Sequence, residues 1–63
     1  MKHYRFGYID LENSWTRVFE CSAPNLDFAF YLFDAEVKRR HGYDAPKKIG
    51  LIEILENGIS IDW

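Results

Sequence analysis

The chain has a single cysteine, Cys21, which excludes an internal disulfide and fits a reducing compartment. It carries no N-x-S/T sequon, and no apolar run approaches the ~20 residues that span a bilayer. The opening stretch MKHYRFGYIDLEN alternates and is charged, unlike a signal or transit peptide. A cytoplasmic location with no membrane association is therefore the expectation. Charge of one sign is scarce too. Eight Lys and Arg stand against ten Asp and Glu, for a formal net charge of −2. That balance is too even for a general nucleic-acid binder and too mild for a carboxylate-rich DNA mimic.

Groups that carry chemistry are equally few. Two histidines, one cysteine and a few serines form no recognisable nucleophile–base–orienter set. No His/Cys spacing matches a zinc site, and no Gly-rich loop accompanies the basic residues. The expectation is a protein without catalysis, metal or cofactor.

What the chain does have is apolar mass. At 63 residues it is 48% hydrophobic and 17% aromatic, with two Trp, four Tyr and five Phe. A domain of this size buries only about 60% of the surface its unfolded form exposes. Large aromatic side chains are how so small a core reaches useful stability, and they argue against disorder. One domain spanning residues 1–63 is expected, with no linker, repeat or low-complexity segment.

Residues 3–11 alternate with period two, placing Tyr4, Phe6 and Tyr8 on one face. WTRVFECSA resumes β-favouring types after the turn residues LENS. A two-residue loop at Asn13-Ser14 would set Tyr8 opposite Phe19, Phe6 opposite Cys21, and Asp10 opposite Arg17 as a cross-strand ion pair. Near the C-terminus, Asn57-Gly58 between two apolar runs is the preferred type I′ hairpin turn. It pairs Glu56 with Ile59, Ile54 with Ile61 and Ile52 with Trp63, leaving Leu51, Glu53, Leu55, Ser60 and Asp62 on the reverse face. Glu53 and Asp62 would then face each other as like charges.

Between the hairpins, DFAFYLFDAE imitates a strand, but its flanks specify a helix. Asn25 is a suitable N-cap and Asp27 complements the dipole. Asp34–Lys38 and Glu36–Arg40 are acid-before-base pairs at i,i+4. Gly42 stands at the stop position. The predicted helix runs from about Leu26 to His41. Wound at ~100° per residue, it shows a core stripe of Leu26, Ala29, Phe30, Phe33 and Val37. A second apolar zone, Phe28, Leu32 and Ala35 with Tyr31 beside them, lies on roughly the opposite side, where a one-sided surface helix should be polar.

The resulting fold class is α+β: ββαββ, one helix on one face of a four-stranded antiparallel sheet, with expected strand order 2-1-3-4. Two surfaces are left without cover. One is the outer helix side, Phe28, Tyr31 and Leu32; the other is the open sheet face, including Leu51, Glu53, Leu55 and Asp62. Both are candidate sites for a protein partner. A homodimer through the outer helix side would serve the same residues. Lys38, Arg39, Arg40, Lys47 and Lys48 crowd one end of the helix near Tyr43, a candidate anion or nucleic-acid patch. The plainer reading of that cluster is dipole complementarity and i,i+4 pairing.

The layout resembles the small phage-encoded inhibitors of bacterial defence, anti-CRISPR proteins among them, several of which are compact ββαββ domains. It is also similar to archaeal LX-type ribosomal proteins, in which a pattern like SAPN ends a strand and LDFAF opens a helix. The first resemblance implies a non-enzymatic inhibitor that blocks a bacterial protein by steric occlusion. The alternative, carried by the basic helix C-terminus, is a nucleic-acid-binding accessory protein. Both likenesses are of architecture, and neither assigns roles to individual residues.

Overall fold

A computed structural model describes residues 1–63, the side chain of Pro46 excepted. Strands β1 (Lys2–Asp10) and β2 (Trp15–Ala23) precede helix α1 (Leu26–His41). Strands β3 (Ile49–Glu56) and β4 (Ile59–Ile61) follow it. The four strands form one antiparallel sheet in the order β2-β1-β3-β4, as the crossover argument requires.

Strand β1 is central, and its alternation is what builds the core. Tyr4, Phe6 and Tyr8 are all buried, together with Ala29, Phe33 and Val37 of α1 and Ile54 of β3. The rings of Phe6 and Phe33 stack with centroids 4.6 Å apart and planes 5° off parallel. Phe30 and Tyr8 meet this pair edge-on, Phe30 at Phe6 and Tyr8 at Phe33, both at 5.4 Å. Offset-stacked and edge-to-face contacts add to area burial.

The helix boundaries match the predicted ones because both caps form. The Asn25 carboxamide oxygen accepts from the Phe28 amide at 2.9 Å. At the other end Gly42, at φ 99°, donates its N–H to the Lys38 carbonyl at 2.8 Å. A positive φ there strains any residue with a Cβ.

Two registers differ from the expectation. The first hairpin closes through four residues, Leu11 to Ser14, so Phe6 stands opposite Phe19, Tyr8 opposite Arg17 and Asp10 opposite Trp15. Local polar side chains build the longer loop. The Asp10 carboxylate accepts from the Glu12 amide, the Asn13 carboxamide oxygen accepts from the Trp15 amide, and Ser14 takes φ 64°. The slip is two residues, so every side chain keeps its face. The expected Asp10–Arg17 pair is replaced by Asp10 facing His41, with Oδ2 to Nδ1 at 3.8 Å.

The second difference is a bulge. Gly7 pairs with Glu53 but Tyr8 pairs with Leu51, so Ile52 is an extra residue in β3. The Glu53 side chain lies over Gly7, its Cγ 3.3 Å from where a Cβ would stand. Beyond the bulge the parity of β3 reverses. Leu51 turns to the helix side and Ile52 is exposed, which corrects the placement of both. The Asn57-Gly58 turn has φ 51° and 85°, as type I′ demands, and pairs Glu56 with Ile59 and Ile54 with Ile61. The β4 ladder stops at Ile61, so Asp62 and Trp63 lie beyond it and the expected Ile52–Trp63 pair is not in the sheet.

Candidate interaction surfaces

Phe28 and Tyr31 project from the first two turns of α1 and are 47% and 68% exposed. Their ring centroids lie 6.0 Å apart, one turn of helix fixing the spacing. Leu32 belongs elsewhere. It is partly buried against the core and, with Phe19, Cys21, Ala35, Glu36 and Arg39, lines a groove of about 400 Å³ between α1 and β2. The outer apolar zone therefore divides, because α1 leans toward β2 and draws Leu32 inward. Burial raises the Cys21 thiol pKa, which makes it a poor nucleophile.

On the open sheet face, Glu53 is exposed over Gly7, and Leu55 is partly buried between Arg5 and Ser60. Leu51 does not belong to this face. It lines a groove of about 220 Å³ on the helix side with Phe30, Phe33, Asp34, Val37 and Ile49. Sequence alternation missed this groove because the bulge that creates it depends on strand pairing, not on local pattern.

The basic cluster is assembled at the helix end, but most of its charge is already answered. Lys38 meets Asp34 at 2.9 Å. Arg39 grips Glu36 through Nε and Nη2 at 3.1 and 2.9 Å, and Arg40 reaches the same carboxylate at 3.4 Å. The Arg39 hydrogen bonds hold Glu36 below the ordinary carboxylate pKa. Lys48 sits between Glu12 at 3.0 Å and Asp44 at 3.2 Å, and the hydrogen bond to Glu12 leads in raising its pKa. Only Lys47, exposed, has no carboxylate partner among the described residues. Tyr43 is exposed beside Lys38, Arg39 and Ala35 along a shallow groove.

A polar cluster at the same end was not foreseen. The Tyr8 ring meets His41 edge-on at 6.2 Å, and Asp10, also buried, faces His41. Burial raises the Tyr8 hydroxyl pKa, while Arg40 and Arg17 act in the opposite direction. The signal was Asp10 at a strand end within reach of a helix-terminal histidine, legible only once the register is known.

Among the described residues no group of three or more His, Cys, Asp or Glu is placed to share a metal ion. No helix is long and apolar enough to cross a membrane. The fold thus defines an α+β ββαββ module. No protein-family model matches the chain, no curated protein matches it, and no solved structure matches it.

Proposed function

We propose that this chain is a non-enzymatic protein-binding module, most concretely a small phage or mobile-element inhibitor that blocks a bacterial defence protein by steric occlusion. The observation that carries the reading is the exposed Phe28–Tyr31 pair, held on a rigid, doubly capped helix. Aromatic anchors of this kind, fixed before binding, carry a large share of interface energy at little entropic cost. The internal pairing of Lys38, Arg39, Arg40 and Lys48 supports a protein partner over a phosphate backbone, since a cation already held by a carboxylate gains less from phosphate. Leu55 and Glu53 on the open sheet face are a second, smaller contact surface of the same module.

The test is expression of the chain in bacteria that carry defined defence systems, followed by phage challenge. Wild type restores plaque formation against at least one system, and the Phe28→Asp/Tyr31→Lys variant does not. No restoration across a panel of defence systems would overturn the inhibitor reading. Salt-sensitive retention on DNA or RNA that Arg39→Ala and Lys47→Ala abolish would favour the nucleic-acid alternative instead.

A further inference from the structure

Asparagine is the only side-chain amide in this chain, and it stands at Asn13, Asn25 and Asn57. It is chemically labile. The backbone nitrogen of the following residue can attack the asparagine carboxamide carbon and close a five-membered imide. A side chain on that following residue hinders the approach. Ser14 and Leu26 supply one after Asn13 and Asn25, whereas Gly58 supplies none after Asn57. The carboxamides of Asn13 and Asn25 are also tied within their own turns, to the Trp15 and Phe28 amides. Asn57 lies in an exposed turn, with open space where a Gly58 Cβ would stand.

The fold clamps Asn57 across the sheet. Its amide donates to the His3 carbonyl at 2.7 Å, and its Oδ1 accepts from the His3 amide at 3.0 Å. The second bond stands in for a ladder bond. His3 is next in line after the Tyr4–Glu56 pair, but Asn57 turns to φ 51°, and its side chain makes the bond that its carbonyl would otherwise make. Strand β1 lies on one side of β3 and β4 on the other. The carboxamide is therefore drawn toward β1, while Gly58 carries the chain toward β4. The electrophilic Cγ is held away from the nitrogen that would attack it.

We infer that Asn57-Gly58 is a self-modification site whose rate is set by opening of the His3 clamp. On release, the Gly58 amide nitrogen gives its proton to water or hydroxide and attacks Asn57 Cγ. The N–Cγ bond forms and the Cγ–Nδ2 bond breaks. Nδ2 leaves as ammonia, taking up the proton that Gly58 gave to solvent. Water then opens the imide, with no oxidation or reduction. Cleavage at Cγ leaves aspartate in an unaltered main chain. Cleavage at the original peptide carbonyl leaves isoaspartate, which adds a methylene to the main chain. The two products act differently on the fold. Aspartate keeps an oxygen for the His3 amide. Isoaspartate lengthens a two-residue turn that needs φ 51° and 85°, so β4 loses its register. β4 is three residues long and sets Ile61 opposite the fully buried Ile54, so its release uncovers the core at that end. This inference goes beyond the partner-binding reading and does not depend on it.

The experiment incubates the full chain at neutral and alkaline pH and follows amide-to-acid conversion at each asparagine by peptide mass spectrometry, with isoaspartate resolved from aspartate. Conversion should fall on Asn57 and rise with pH. It should run slower by about tenfold or more in the folded chain than in denaturant. His3→Pro removes the N–H that holds Oδ1 and leaves the His3 carbonyl in place, so the folded variant should convert about fivefold faster than wild type. His3→Ala, which keeps the N–H, should match wild type. Where the proline variant fails to fold, amide exchange at His3 of wild type decides instead: conversion should track the open fraction of this amide as denaturant is raised below unfolding. The isolated isoaspartate form should lose amide protection in β4, and Asn57→Asp should retain it. Equal rates in folded and unfolded chains overturn the inference, as does a folded His3→Pro with the wild-type rate. Conversion chiefly at Asn13 or Asn25 also overturns it. A negative phage assay leaves these rates standing, and an inert Asn57 leaves the phage assay standing as a separate question.

Discussion

Tyr4 shows how one side chain links core and surface. Its ring is fully buried at the centre of the sheet, yet its hydroxyl donates to Glu56 Oε1 at 2.7 Å, and Glu56 also meets Lys2 at 3.7 Å. Burial, then the hydrogen bond to Glu56, pushes the Tyr4 pKa up from 10.0 to about 12. A group whose folded pKa is raised stabilises the protein fully below its unfolded pKa and loses that contribution as pH rises through the folded value. Stability should therefore decline between pH 10 and 12, as tyrosinate becomes the preferred form of the unfolded chain. Denaturant titrations across that window should show a shallower decline for Tyr4→Phe. An identical pH profile for wild type and variant would show that the hydroxyl is not coupled to folding. Sequence alternation placed Tyr4 in the core. It did not place Glu56 beside the hydroxyl, because that contact joins residues 52 positions apart through the β1–β3 register.

Among elements, α1 was legible to its end residues, and β3 was not, for reasons that differ in range. A helix is stopped and started by groups within four residues of its ends. Asn25 and Gly42 therefore declared it directly, and the Asn57-Gly58 turn declared the last hairpin in the same way. Replacing Asn25 with Ala removes the acceptor for the Phe28 amide and should cost about 1 kcal/mol. Chemical denaturation reads that loss as a lower midpoint at an unchanged slope. Full stability with Asp at the same position, which keeps an acceptor, would identify the cap as the cause. The first hairpin followed a different rule. Asn13-Ser14 looked like a two-residue turn, but Asp10 and Asn13 both accept backbone amides and stabilise a four-residue loop. The bulge at Ile52 has no local signature at all. It arises where β1 and β3 pair, and it moves Leu51 from the open face to the helix side. Of the candidate site, Phe28 and Tyr31 were readable because helical periodicity alone leaves them outside. The β2 groove needed the tertiary lean of α1.

At the scale of the whole molecule, the proposed function assigns folding and partner binding to separate aromatic residues, and that separation can be tested. A chain of 63 residues at about 0.05–0.15 kcal/mol per residue has about 3–9 kcal/mol of total stability. Phe33 touches Phe6, Tyr8 and Phe19 at the heart of the core, so Phe33→Ala should cost about 3–5 kcal/mol, a large part of that total. Phe28 and Tyr31 carry no such debt. Aspartate at position 28 falls in the first turn of α1, where a carboxylate is favoured, and lysine at 31 follows Asp27 at i,i+4. The Phe28→Asp/Tyr31→Lys variant should therefore melt within about 0.5 kcal/mol of wild type, as surface changes usually do. Its circular dichroism should also be the same. A variant that is fully folded and has lost its effect on phage plating would locate function on the outer helix side, independent of stability. A variant that unfolds would instead make the two rings part of the core, and a folded variant that still protects phage would exclude them from the partner surface.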